Sequence, residues 1–143
     1  MRVDFYQLAG DPPASILAKL AAKLLDDGGR LLVVSEDEKA LAAIDRQLWD
    51  EPGFLAHGRE GGADDQHQPI LLSTRDVAAN RARNIAIIDG KWRPTALSFD
   101  RAFFLFDEDH LDAAREAWKS LKGSDEVERH YWAREEGRWT QKA

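Results

Sequence analysis

The residues whose types and spacing best suit chemistry lie near the C-terminus, in the segment AREAWKSLK. Arg115, Trp118, Lys119 and Lys122 occupy positions i, i+3, i+4 and i+7, which places their side chains in one stripe of an α-helix. Three cations beside an indole suit an acidic and partly apolar ligand, because arginine binds a carboxylate in a bidentate way and lysine adds a less directional charge. The stripe is equally typical of a solvated helix end whose cations complement the helix dipole, and both interpretations stay open.

Motifs for catalysis or for binding cofactors are absent from the sequence. It contains no cysteine and no GxGxxG, GxxxxGK[ST], GxSxG or HExxH pattern. The segment ADDQH, residues 63–67, has side chains that suit a hard metal ion but is more typical of a solvated loop. The segment STRD, residues 73–76, is typical of a turn or a helix cap. We therefore predict a protein that is not an enzyme and has neither a cofactor nor a metal site.

A second group of candidate residues lies in LWDEPGFLAHG, where a helical pattern changes to a polar loop. Trp49, Pro52 and Phe54 stand at this boundary. Aromatic residues in such a place commonly cover the core, but they also anchor protein interfaces, where they contribute much of the binding energy.

Five cations follow in the middle of the chain, namely Arg75, Arg81, Arg83, Lys91 and Arg93. Weak contact with phosphate is conceivable there, yet the cations share no period or predicted element. Solvated loops are the better interpretation. The net charge of −6 also argues against a protein that coats nucleic acid, since neutralising phosphates needs a basic face.

Strands and helices alternate along the 143 residues. The pattern predicts strands at residues 3–8, 30–35, 70–74, 84–89 and 101–107, helices at residues 14–29, 37–49 and 108–123, and an edge strand with a turn at Glu136–Gly137 within residues 126–139. Alternation of this kind indicates a single Rossmann-like α/β domain over residues 1–143, with a mostly parallel sheet flanked by helices. The N-terminus lacks a signal-peptide profile and no apolar run approaches 18 residues, so we expect a cytoplasmic protein.

The junction after the second strand differs from that of nucleotide-binding folds. Where such folds carry a glycine-rich phosphate loop, this chain has Ser35-Glu36-Asp37-Glu38, with three acids and no glycine. Ser35 and Glu38 fit a capping box for the following helix, which explains the acids without chemistry. Residues 50–69 are predicted to form one long polar loop.

Five segments together resemble the chi subunit of bacterial DNA polymerase III holoenzyme. They are FYQL, LLVVSEDEKALAAIDRQLW, FLAHGREGG, PILLS and AREAWKSLK, in this order and over nearly the whole chain. The segment after Gly123, with HYWAREEGRW, differs from the shorter ending of that family.

The resemblance implies a Rossmann-like subunit on the clamp-loader side of the replicase that binds no nucleotide and has no polymerase chemistry. It implies that Arg115, Trp118, Lys119 and Lys122 hold the C-terminal tail of single-stranded DNA-binding protein, an acidic segment ending in proline, phenylalanine and a free carboxylate. It further implies that Trp49, Pro52 and Phe54 bind the psi subunit or a competing helicase.

Three hypotheses follow from the sequence. The leading one is a non-catalytic adaptor that tethers the replicase to coated single-stranded DNA. The alternative is a small α/β enzyme acting on a nucleotide or phosphorylated metabolite at the carboxyl ends of the strands. The third is direct but weak binding of single-stranded DNA along Arg75, Arg81 and Arg83.

Overall fold

The computed structural model describes residues 1–52 and 55–143, which form one eight-stranded sheet and three α-helices. The strands are β1 (Arg2–Gln7), β2 (Leu31–Val34), β3 (His57–Arg59), β4 (Ile70–Ser73), β5 (Asn84–Ile87), β6 (Arg101–Phe106), β7 (Glu128–Glu135) and β8 (Arg138–Gln141). The helices are α1 (Pro13–Asp26), α2 (Glu38–Asp50) and α3 (Leu111–Ser120), and the chain also makes short 3-10 turns at Asp65–His67, Pro94–Ser98 and Glu108–His110. Among the described residues, no helix is both long and apolar enough to cross a lipid bilayer.

The strands lie in the order β3-β4-β2-β5-β6-β1-β7-β8, and every neighbouring pair is parallel except β7 and β8. This arrangement confirms the predicted, mostly parallel α/β sheet. Strand β2 reads LLVV and is fully buried along its length, as expected for a strand covered on both faces.

Helices α1 and α2 cover one face of the sheet, and α3 covers the other. The first core contains Leu17 of α1 and Leu41 of α2, with Leu31 and Val33 of β2. The second core contains Ala114, Ala117 and Leu121 of α3 and its C-terminal end, with Phe5 and Phe104 of the strands. Successive strand residues therefore contribute to opposite cores, because side chains alternate along a strand.

The predicted capping box at α2 is wrong. Helix α2 begins at Glu38, and its N-cap is Asp37, whose carboxylate accepts the N–H of Lys39 at 2.9 Å. The hydroxyl of Ser35 instead accepts the N–H of Asp37 at 3.1 Å, and Glu38 forms an ion pair with Arg59. Asp37 lies directly before the first helical residue, so it caps α2 in place of Ser35.

Residues 50–69 are not the single structureless loop that we predicted. They contain β3, which pairs in parallel with β4, and the 3-10 turn Asp65–His67. The segment HGR has no apolar alternation, so its strand conformation depends on backbone pairing with β4. A Cβ at Gly58 would lie 2.8 Å from Cδ of Gln68, so the glycine lets that side chain lie close against β3.

The C-terminal residues form a hairpin that extends the sheet beyond β1. Strand β7 pairs in parallel with β1, so β8 is the edge strand, and β7 lies inside the sheet. The predicted turn is confirmed: Glu136 and Gly137 have φ angles of 50° and 77°, the positive values that a two-residue type I′ hairpin turn requires.

Candidate functional site

Helix α3 packs on the sheet by a narrow apolar face and leaves a basic face exposed. Its contacts with the second core are made by Ala114, Ala117 and Leu121, all buried. Arg115, Lys119 and Lys122 are exposed on the other side of the helix. Trp118 lies between these two faces, since it is partly buried and packs on the second core.

Trp118 is held by groups from two strands. Its ring meets Phe5 of β1 and Tyr131 of β7 nearly edge-on, with centroids 5.2 and 5.7 Å away. The guanidinium carbon of Arg129, also on β7, lies 4.1 Å from the centroid of the indole. Nη1 of Arg129 donates a hydrogen bond to the carbonyl of Trp118 at 2.5 Å. Arg129 is therefore a fourth cation at this face, which the sequence analysis missed.

We call the group Arg115, Trp118, Lys119, Lys122 and Arg129 the α3 basic surface. Within the described part of the chain, its one ion pair joins Arg115 to Asp112 on the same helix, with Nη1 and Oδ1 separated by 4.0 Å. The side chain of Arg115 is 64% exposed, so this contact leaves the guanidinium accessible. The surface can therefore attract an anion without first breaking a strong internal pair.

Burial raises the pKa of the Tyr131 phenol, whose ring packs on Trp118, and the charge of Arg115 opposes part of that rise.

The aromatic candidates at the end of α2 lie beside β3. Trp49 is 56% exposed, and its ring centroid lies 4.3 Å from that of His57. His57 is buried, with Nδ1 2.7 Å from the carbonyl of Leu55 and Nε2 2.9 Å from Oδ1 of Asp45. Sequence patterns gave no sign of this imidazole, which supports the exposed indole. Pro52 is exposed, and Phe54 lies outside the described residues.

A cleft of about 650 Å³ lies at the carboxyl ends of β1, β2, β5 and β6, where open α/β sheets commonly bind ligands. Its lining is rich in carboxylates, contributed by Asp11, Glu36, Asp37, Asp89 and Asp107. Burial would raise the pKa of the Asp89 carboxyl, but hydrogen bonds from Arg93 and from the amides of Glu36 and Lys91 outweigh it and lower the pKa. Although Glu36 pairs with Lys91 and Asp89 with Arg93, acids still outnumber cations in the lining, which disfavours a phosphate.

The five cations of the middle segment lie in two loops, three of them between β4 and β5 and two between β5 and β6. Four of them form ion pairs: Arg75 with Glu60, Arg83 with Asp100, Lys91 with Glu36 and Arg93 with Asp89. Each pair offsets the positive charge that a nucleic-acid backbone would need, so this segment offers no continuous basic patch.

Histidines and acids of the described residues form no cluster that could hold a metal ion. In the ADDQH segment, the carboxylate of Asp65 accepts the amides of Gly61 and Gly62 at 2.9 and 3.0 Å. That carboxylate therefore organises a turn.

The sequence profile described as DNA polymerase III chi subunit, HolC, matches residues 1–127 of the 143 residues. The chain belongs to the DNA polymerase III chi subunit family. The predicted resemblance is thus confirmed, and the family is that of an accessory subunit of this polymerase. The matched range of the chi family includes the helix α3 stripe and Trp49, whereas the β7–β8 hairpin with Arg129 follows after it.

Solved structures similar to this chi family member share its fold at low sequence identity. The C-terminal domain of Dbp5 from S. cerevisiae, carrying L327V and bound to Gle1 H337R and IP6, has a TM-score of 0.60 and 12% identity, with 92% of this chain and 90% of that chain covered. Another structure of the C-terminal domain of the DEAD-box protein Dbp5 has the same TM-score and coverage with 11% identity. These likenesses support the Rossmann-like fold alone. No curated protein matches the sequence.

Proposed function

We propose that this chi family member is a non-catalytic adaptor that tethers the polymerase to single-stranded DNA coated with its binding protein. The contact is made with the acidic C-terminal tail of that protein. The observation that carries the proposal is the α3 basic surface, which presents exposed cations beside an indole on a chain of net charge −6. A charged surface of this sign steers an acidic partner toward it.

Each side chain of the α3 basic surface binds a different part of the tail, according to its chemistry. Arg115 and Lys119 pair with carboxylates of the acidic tail, and Lys122 adds attraction at longer range. Trp118 offers the exposed part of its indole to the apolar side chain of the tail. Because the cations are exposed, each pair contributes only about 0.2 to 1 kcal/mol and weakens as salt is added.

The test is a titration of the protein with a fluorescent peptide that carries the tail, at two salt concentrations. The double variant Arg115→Glu, Lys119→Glu should lose roughly 5- to 30-fold in affinity, because two attractions become two repulsions. A matched control, Lys19→Glu with Arg46→Glu, changes the same charges at exposed positions of α1 and α2 on the other face of the sheet. Equal affinity of the two double variants for the peptide would remove the assignment.

A second contact is proposed at Trp49, Pro52 and Phe54, for the psi subunit or a helicase. The exposed indole of Trp49, packed on the buried His57, supports it, because rigid aromatic side chains are frequent anchors of protein interfaces. Trp49→Ala should abolish co-elution with that partner while leaving the affinity for the tail peptide unchanged. Loss of both interactions in this variant would mean that the two surfaces are not separate.

A further inference from the structure

The C-terminal hairpin brings one arginine to the α3 basic surface from outside the range matched by the family profile. Arg129 stands on β7, opposite Val3 of β1, and the parallel pairing of these strands fixes its backbone beside α3. It is eleven residues from Trp118 in the chain, yet it is hydrogen-bonded to the carbonyl of that residue. Arg129 thus reaches the α3 basic surface because β7 extends the sheet beyond β1.

Most of the hydrogen-bonding capacity of Arg129 remains unused by the protein. A guanidinium has five N–H groups, and the carbonyl of Trp118 accepts from Nη1. Among the described residues, no carboxylate lies within 4 Å of this guanidinium, whereas Arg2, Arg93 and Arg101 each pair with a buried or nearly buried aspartate. The neighbouring Glu128 is directed to His130, at 2.9 Å.

The guanidinium of Arg129 is also held in place before any ligand arrives. Stacking on the indole at 4.1 Å and the bond to the carbonyl of Trp118 restrict its rotamers. A restrained side chain loses less conformational entropy on binding than a free one, so more of the interaction energy is kept. Arg115, by contrast, extends into solvent and has only a long contact with Asp112.

We infer that Arg129 is the residue of the α3 basic surface that binds the free C-terminal carboxylate of the acidic peptide. Its guanidinium, held against the ring of Trp118, donates two parallel hydrogen bonds to that carboxylate. This inference rests on the proposed function and deepens it. Arg115, Lys119 and Lys122 then serve the internal acidic residues of the peptide. Trp118 has a double role, because one face of its ring orients the guanidinium while its exposed part meets the apolar side chain.

The test compares two fluorescent peptides of the same acidic sequence ending in phenylalanine, one with a free C-terminal carboxylate and one with a C-terminal amide. The wild-type protein should bind the free acid roughly tenfold more tightly, because a charge-assisted bidentate pair is lost with the amide. Arg129→Gln should lower the affinity for the free acid roughly tenfold and leave the amide within about twofold, so the preference disappears. Arg129→Lys keeps the positive charge but cannot form the two parallel hydrogen bonds, so it should keep only part of the preference for the free acid over the amide.

Two controls separate binding from folding. Arg138→Gln removes an exposed arginine of the same hairpin and should leave both affinities unchanged. Arg115→Gln should weaken both peptides by a similar factor, because it does not serve the terminal carboxylate. Thermal unfolding of each variant identifies any loss that comes from a loosened hairpin, and the Lys variant keeps the test valid if the Gln variant does not fold.

The outcomes distinguish the inference from the proposed function. If the wild-type protein binds neither peptide, both are overturned. If it binds both peptides equally, or if Arg129→Gln retains the preference for the free acid, the inference is overturned and the adaptor function stands. A preference that is lost only with Arg129 supports the assignment, because an arginine that merely packs α3 on β7 would change the affinity for both peptides alike.

Discussion

Asp4 offers the most demanding test of how the C-terminal hairpin is attached to the sheet. This carboxylate is fully buried on β1 and accepts hydrogen bonds from Arg2, Arg101 and the indole of Trp132. It thereby joins the neighbouring strands β6 and β7 to β1. The substitution Asp4→Asn keeps the shape of the side chain but removes its charge and replaces one acceptor oxygen with an NH2 donor, so it tests how much the network depends on an ionised carboxylate.

The cost of that substitution follows from the burial of the partners. Removing one member of a fully buried ion pair typically costs about 3 to 5 kcal/mol, because the other charge is left without compensation. Here the side chains of Arg2 and Arg101 are 36% and 29% exposed, so water can solvate part of the released charge. We therefore expect a loss of roughly 2 to 3 kcal/mol in the free energy of unfolding. In a chain of this size, 2 kcal/mol corresponds to a decrease in Tm of about 4 to 8 °C.

The pH dependence supplies an independent check on the same carboxylate. Burial would raise the pKa of Asp4, but the hydrogen bonds from Arg2 and Trp132 and the charge of Arg101 outweigh it, so the pKa lies below its ordinary value. A carboxyl of this kind stabilises the fold above its unfolded pKa, and the contribution is lost as the pH falls through the folded pKa. The stability difference between wild type and Asp4→Asn should thus be constant near neutral pH and shrink below about pH 4.

Urea unfolding monitored by tryptophan fluorescence measures this difference at each pH, and hydrogen exchange of the β7 amides locates it. The control Asp112→Asn removes an exposed acid that has only a long contact with Arg115, and it should not change stability measurably. If Asp4→Asn unfolds at the same urea concentration as wild type at pH 7, the hydrogen bonds of Asp4 do not stabilise the attachment of the hairpin to β1, and the prediction is wrong. A difference that persists unchanged at pH 3 would refute the electrostatic explanation specifically.

The remaining predictions concern other single positions. Burial raises the pKa of Tyr6 to about 12, so the fold loses stability as the pH rises from 10 to 12. In urea unfolding at alkaline pH, the Tyr6→Phe variant should lose roughly 2 to 3 kcal/mol less stability over this range than the wild type. Asp37→Ala leaves the amide of Lys39 without its cap and should destabilise the protein by about 1 kcal/mol in thermal unfolding, whereas Ala at exposed Gln47 should have little effect. Trp118→Ala removes ring contacts with Phe5 and should cost about 2 to 4 kcal/mol, an expectation that an unchanged Tm would contradict.

The core elements were predictable because their signals are local. The apolar run Leu31–Val34 ends at a serine, and Leu41, Ile44 and Leu48 recur at helical spacing, so both their conformation and their burial follow from short segments. Trp118 belongs to the same class, since its helix alone places it between the buried and exposed faces.

The elements that the sequence did not predict depend on distant partners. Strand β3 has no periodicity of its own and exists because β4 offers free backbone groups. Arg129 reaches Trp118 only because β7 pairs with β1, an arrangement between residues more than a hundred positions apart. Ser35 and Asp37, two positions apart, both carry an oxygen that can cap α2, and residue types alone do not decide which of them does so.

The positions of the two proposed contacts suit an adaptor, because a tether must hold one partner without releasing the other. Trp49 lies on α2 beside β3, at one end of the sheet and on the face that α1 also covers. The α3 basic surface lies on the opposite face, beside β1 and β7 near the other end. Between them stand strands that are buried on both sides, such as β2, so a partner at one surface does not touch the residues of the other. We therefore expect that occupation of either proposed surface leaves the other open.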